Sequence, residues 1–299
     1  MPEDGLEQLK PFDAILFGSA GSLEVPVHIT LWGLRLEICQ HFDQYANVRP
    51  SRLLPGIQSP LKNIGPAELD WVIVRENTEG EYSGAGGRVH PKLPQEVGID
   101  VSVFTRDGIE RVMRFAFELA LTRPKKQLTL VTKSNAQRHG MVLWDEVFEK
   151  LKHDYPGITT DRMLVDAITT RMVLQPQSLD TIVATNLHAD ILSDLAAALS
   201  GSLGIGPTAN INPERTFPSM FEPIHGSAFD LVGKDLANPL GAFWSCVMML
   251  EHLQEKKGAS LLMSAIEEVC QEGRHLPKDL GGNSCTGEVT TAVCAALKK

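Results

Sequence analysis

Short, unbroken apolar runs set between helical stripes constrain the fold of this chain more than any other feature. Residues 13–17 (DAILF), 71–74 (WVIV), 128–131 (LTLV) and 181–184 (TIVA) lack the alternation of a strand with one wet face. Such runs are what strands look like when a sheet is covered on both sides. Between them, residues 108–121 carry Val112, Phe115, Ala116 and Leu119 at i, i+3, i+4 and i+7, the stripe of an amphipathic helix. Residues 141–151, 190–199 and 261–270 read as further helices. Strands alternating with helices predict an α/β architecture with a largely parallel sheet. The Gly/Pro-rich stretches 55–66 and 201–213 are the expected connections between substructures. No G-x-G-x-x-G occurs, which disfavours a Rossmann nucleotide site.

With 299 residues the chain is long enough for two domains or one large α/β unit. A formal charge of -9 repels nucleic acid and anionic membranes, so neither is an expected partner. A small anionic substrate would then need a local arginine pocket or a bound cation. The cysteines (Cys39, Cys246, Cys270, Cys285 and Cys294) are odd in number and form no C-x-x-C, against a disulfide framework or structural zinc. The longest apolar runs, such as 241–250, are too short to cross a bilayer, and the first residues lack a signal-peptide core. A cytoplasmic protein is expected.

Residues 185–194 (TNLHADILSD) follow a strand and open a helix, which places Asp190 and Asp194 on one face, one turn apart. Two like charges there have two explanations. Either a cation lies between them, or they cap and complement the first helical turn. Asp166 is a third candidate ligand. An all-carboxylate set without Cys or His selects a hard cation, Mg²⁺ or Mn²⁺.

Residues 74–83 (VRENTEGEYS), 186–194 and 221–230 (FEPIHGSAFD), in that order, resemble the isocitrate and 3-isopropylmalate dehydrogenase family of β-decarboxylating hydroxyacid dehydrogenases. Residues 42–50 and 212–218 are most similar to its branch acting on tartrate and D-malate. The resemblance implies an isopropylmalate dehydrogenase-like two-domain fold. Residues 1–44 and 201–299 would form the large cofactor-binding domain, and residues 45–200 the central domain for substrate, metal and dimerisation. It further implies a homodimer that oxidises and decarboxylates a small 2-hydroxy dicarboxylic acid, using NAD and Mn²⁺ or Mg²⁺.

By the same resemblance, Asp190 and Asp194, with Asp166 of the partner subunit, would hold the metal. Arg49 and Arg75 would grip substrate carboxylates, a task suited to a planar fork. The family's further arginine falls at Cys39 here, and Arg35, one turn earlier, is the expected substitute. Lys133 would take the hydroxyl proton, given a lowered pKa, and Tyr82 would protonate the enolate carbon. His225, Gly226, Ser227, Ala228, Asp230 and Asn238 would line the adenosine site, with Asp230 favouring NAD by accepting from ribose hydroxyls and repelling a 2′-phosphate. Against the family pattern, the N-terminal strand and glycine loop are missing, Val27 stands for an aspartate and Phe229 for a proline. A competing expectation is therefore a catalytically impaired subunit that scaffolds or regulates a full-length relative.

Overall fold

In the computed structural model, which describes residues 1–298, all four apolar runs form strands. They are β1 (Ala14–Leu16), β3 (Asp70–Glu76), β6 (Gln127–Thr132) and β8 (Thr181–Ala184). The last three are buried nearly throughout, as uninterrupted apolar sequence requires. Other strands escape that pattern: β2 (Ala46–Arg52), β7 (Thr159–Leu164), β9 (Pro207–Ile211) and β10 (Ser219–Pro223) join the same sheet. A separate hairpin pairs β4 (Gly86–Val89) with β5 (Val97–Asp100). The stretch 201–213, expected to be a connection, thus contains a wholly buried strand, whereas 55–66 is a loop between β2 and β3.

The large sheet has eight strands in the order β1-β10-β9-β2-β3-β8-β6-β7. Its β3-β8-β6-β7 half is parallel, as is the β1-β10 pair. The centre departs from the parallel expectation, because β10-β9, β9-β2 and β2-β3 are antiparallel. Helices cover both faces. They are α1 (Gly5–Leu9), α2 (Val27–Thr30), α3 (Leu36–His41), α4 (Arg106–Thr122), α5 (Gly140–Leu151), α6 (Val165–Leu174), α7 (Asn186–Leu199), α8 (Leu240–His252), α9 (Lys256–Glu272) and α10 (Thr286–Ala296).

Side-chain alternation along β3, β6 and β8 feeds two cores. Trp71, Ile73, Ile182 and Ala184 pack into one with α6 to α10, while Val74, Val183, Leu128 and Leu130 pack into the other with α4 and α5. Ile15 of β1 and Met220 of β10 join a third with α3. The buried positions of α4 (Ile109, Val112, Met113, Ala116, Phe117 and Ala120) follow helical spacing. Phe117 stacks on Tyr155 at 4.6 Å and on Phe148 at 5.6 Å between ring centroids. Fully burying one such ring stabilises the fold by about 2–3 kcal/mol. The Trp71 indole, also buried, donates to the Pro176 carbonyl at 2.8 Å, so its polar atom is satisfied. All five thiols are free, and among the described residues no helix is long and apolar enough to cross a membrane.

Candidate active site

A parallel sheet half aligns the C-terminal ends of its strands, and these ends carry the candidate metal ligands together with Arg75 and Lys133. Arg75 lies at the end of β3, Lys133 just after β6, Asp166 just after β7, and Asn186 to Asp194 on the helix after β8. Strand order then decides which of them meet. β3 neighbours β8, bringing Arg75 to Asp190, and β6 neighbours β7, bringing Lys133 to Asp166.

Helix α7 begins at Asn186, four residues before the expected start, so Asp190 sits beyond its first turn and does not cap it. The capping explanation of that carboxylate falls away. Instead, Asp190 Oδ1 accepts from Arg75 Nη1 and from Arg49 Nη1, the latter at 3.1 Å. Burial alone would raise the Asp190 pKa, but Arg75 and then Arg49 outweigh it and hold the carboxylate below its usual range. The Tyr82 hydroxyl donates to Asp190 Oδ2 at 3.4 Å, and the Arg75 guanidinium lies 5.2 Å from the Tyr82 ring centroid. Burial and the Asp190 charge raise the Tyr82 pKa, so its proton is retained.

Both arginines are buried, at 4% and 2% exposure, and almost every donor is committed. Arg75 sends Nε and Nη2 to Asn186 Oδ1 at 2.9 and 2.6 Å. Arg49 bonds Asn47 Oδ1 through Nε at 2.9 Å and the Ser193 hydroxyl through Nη1 at 2.7 Å. Burial, then Arg75, draws the Arg49 pKa down to about 9, still protonated at neutral pH. Arg35 ends a π-turn (Leu31–Arg35), a helix form frequent at functional sites. Its Nε meets Glu222 at 2.7 Å and its Nη2 meets Asn210 at 3.2 Å. Burial would lower its pKa, but Glu222 holds it above the ordinary value. Cys39, one turn on, is fully buried, and burial pushes its thiol up to about 11.

These groups line one cavity of about 520 Å³. One wall holds Arg35, Arg49, Arg75, Tyr82 and Asp190; the other holds His225, Gly226, Ser227 and Ala228, with residues 17–21 of the N-terminal segment. Ala228 is held at φ +42, an unusual conformation for a residue with a Cβ. At Gly226 a Cβ would meet no atom within 4 Å, leaving open space where a ligand could approach the backbone. At Gly21 a Cβ would come within 2.5 Å of the Ser227 hydroxyl, so glycine lets these two loops close against each other. The loop therefore leaves its backbone open to a ligand in the cavity. Asp230 and Asn238 are not part of this lining. Asp230 is exposed in a 3₁₀ turn (Phe229–Leu231). The Asn238 amide donates to Asp279 at 2.9 Å and accepts from Leu240 N at 2.9 Å, at the start of α8.

Asp194 has no cation within salt-bridge distance among the described residues, and burial, then Asp190, raises its pKa. This unneutralised carboxylate beside Asp190 is a fitting pair of hard donors for a divalent cation. The third candidate, Asp166, is exposed and takes the Lys133 ammonium at 2.5 Å, a bond that lowers its pKa. Among the described residues no three His, Cys, Asp or Glu side chains of this one chain are grouped to hold a metal. Motif reading passed over Asn47, Asn186, Ser193, Asn210 and Glu222, although all but Asn210 lie inside the stretches that carry the resemblance. Buried asparagines carry no charge pattern that a sequence would reveal.

A family model described as isocitrate/isopropylmalate dehydrogenase matches residues 1–295. A probable tartrate dehydrogenase/decarboxylase of Agrobacterium vitis is 67% identical over 297 residues, covering 99% of this chain and 83% of that protein. The D-malate dehydrogenase [decarboxylating] of Escherichia coli (strain K12) is 49% identical over 303 residues, covering 99% and 84%. The crystal structure of isocitrate dehydrogenase from Methylococcus capsulatus superposes with a TM-score of 0.91 at 34% identity, covering 100% of this chain and 86% of that one.

Proposed function

The chain belongs to the isocitrate/isopropylmalate dehydrogenase family, and from that premise we propose that it oxidises and decarboxylates a small 2-hydroxy dicarboxylic acid, D-malate or tartrate. NAD is the proposed acceptor and Mn²⁺ or Mg²⁺ the proposed metal. One observation carries this reading: a single cavity is lined both by three arginines around Asp190 and by the loop from His225 to Ala228. A dianionic acid needs the first wall, and a dinucleotide needs the second.

The chain's own residues then divide the work. Arg35 Nη1 and Arg49 Nη2 make no hydrogen bond among the described residues, which leaves an NH₂ group on each for substrate carboxylates. Arg75, its fork held by Asn186 and Asp190, supplies fixed positive charge to the same wall. Asp190 and Asp194 would hold the divalent cation, with a third carboxylate from Asp166 of a second copy. When bound, that cation supplies a Lewis-acid pull on the substrate hydroxyl oxygen, and NAD supplies the hydride acceptor. Lys133, once released from Asp166 and present as the neutral amine, would accept the hydroxyl proton. Tyr82, which keeps its phenolic proton, would deliver one to the carbon left after carbon dioxide departs. Asp230, exposed beside the nucleotide loop, is the proposed selector of NAD over NADP.

The proposed assembly is a homodimer, since Lys133 and Asp166 are not among the cavity-lining residues of their own chain. The β4-β5 hairpin supports this, because Val89, Val97 and Ile99 are 47%, 47% and 49% exposed, and a lone hairpin is marginally stable in water. Residues 1–44 with 201–299, and residues 45–200, are the proposed large and central domains. Five free thiols suit a reducing cytoplasm. The scaffolding alternative has no observation in its favour. Purified protein with Mn²⁺, NAD and D-malate should form NADH, followed by its absorbance. Absence of NADH with D-malate, tartrate, isocitrate and isopropylmalate alike would overturn the proposal.

A further inference from the structure

The buried side of the arginine wall is a continuous chain of side-chain amides. In the antiparallel centre of the sheet, Asn47 of β2 pairs across with Arg75 of β3 on one side and with Asn210 of β9 on the other. Period-two geometry puts Arg49 on the same face as Asn47. Asn210 Oδ1 accepts from Asn47 at 2.6 Å, from Asn77 at 3.0 Å and from Arg35 Nη2 at 3.2 Å. Its own amide donates to Glu222 Oε1 at 2.8 Å, the same oxygen that takes Arg35 Nε at 2.7 Å. Asn47, whose amide nitrogen points at Asn210, offers its remaining oxygen to Arg49 Nε at 2.9 Å. Asn47, Asn77 and Asn210 are at most 1% exposed.

We propose that Asn210 is a positioning residue that binds Arg35 and Arg49 into one rigid bracket, fixing the separation at which two carboxylates of a substrate are recognised. This rests on the dicarboxylate reading above. An amide suits the position for a physical reason. It must accept from three donors while donating to a carboxylate; an aspartate would set a second negative charge against Glu222, and a serine falls short of these partners. Strands hold Asn47, Arg49, Asn210 and Glu222, so the relay resists backbone movement, and Arg35 on its π-turn is tied to it through Asn210 and Glu222. Arg75 stands outside it, anchored by Asn186 on α7.

The test uses Asn210→Ala and, should that variant fold poorly, Asn47→Ser, which cuts only the Arg49 branch. The first readout is proton exchange of the arginine Nε–H groups by NMR in the substrate-free protein. Asn210→Ala should speed exchange at Arg35 and Arg49 but not at Arg75, and Asn47→Ser at Arg49 alone. The second readout is kinetic. Asn210→Ala should raise KM for D-malate about tenfold, with kcat changed less than about threefold, as expected for loss of an oriented charge-assisted contact. Combining both substitutions should raise KM by less than the product of the single effects. Unchanged Nε exchange in folded Asn210→Ala overturns the bracket, and so does a fall in kcat with KM unmoved. If the wild type oxidises none of the acids, the proposed reaction fails, while the exchange measurement still decides the bracket.

Discussion

At the residue scale, the site sets two carboxylates of opposite circumstance one turn apart. Asp190 is neutralised twice over by Arg49 and Arg75, whereas Asp194, among the described residues, has no cation within salt-bridge distance. Asp194→Asn should therefore leave metal-free stability unchanged or raise it by a few tenths of a kcal/mol, the usual cost of a like-charge i, i+4 pair. The same variant should weaken Mn²⁺ binding at least tenfold in a calorimetric titration. A marked loss of metal-free melting temperature would mean that Asp194 serves the fold instead. A second carboxylate gives a pH signature. Glu76 is buried and accepts from Thr78 N at 2.9 Å, Thr78 Oγ1 at 2.7 Å and Glu79 N at 2.7 Å, yet burial outweighs these bonds and raises its pKa to about 7. A carboxyl raised in the folded state favours folding below its unfolded value of 4.5, and that contribution is lost as pH climbs through 7. The shift is worth on the order of 3 kcal/mol. Denaturant titrations at pH 5 and 8 should show this decline in the wild type and a flatter profile in Glu76→Gln.

At the element scale, the sequence disclosed the strands that are apolar on both faces and concealed those with a polar task. β3, β6 and β8 announced themselves through their apolar runs 71–74, 128–131 and 181–184, in which hydrocarbon side chains fill most buried positions. β2, β9 and β10 did not, since Asn47, Arg49, Asn210 and Glu222 are buried polar residues satisfied by one another. That network is invisible until the strands are paired. The start of α7 was misplaced for a related reason: residues 185–188 look like a polar loop, whereas Asn186 is helical and holds Arg75. Sequence reading named Arg35, Arg49, Arg75, Tyr82, Asp190 and the loop 225–228 of the cavity, and missed its supports, the uncharged Asn47, Asn186, Ser193 and Asn210 and the charged Glu222. Helix α4 shows a cap that sequence rules do describe, for Thr105 accepts from Gly108 N at 3.0 Å. Glu79 in turn receives the Thr105 backbone N–H at 2.9 Å, tying the cap to the turn that leads to Tyr82. Thr105→Ala should cost about 1 kcal/mol in chemical denaturation. No change in the unfolding midpoint would mean that Glu79 alone secures the helix.

At the scale of the whole molecule, one chain completes the arginine wall and the loop from His225 to Ala228, while Lys133 and Asp166 pair apart from both. In the proposed homodimer a second copy closes that gap, and the exposed hairpin is its expected contact. Charge placed there, as in Val97→Lys with Ile99→Lys, should shift sedimentation from dimer to monomer and abolish turnover together. A variant that remained dimeric, or a monomer that remained active, would remove the hairpin or the second copy from the site. The reaction itself is open to a more direct measurement: D-malate deuterated at C2, incubated with the protein, NAD and Mn²⁺, and its products analysed by mass spectrometry. Deuterium should appear on the reduced nicotinamide, with one carbon dioxide released for each transfer. Deuterium lost to water, or reduced cofactor formed without carbon dioxide, would contradict a hydride-first oxidation followed by decarboxylation at this cavity.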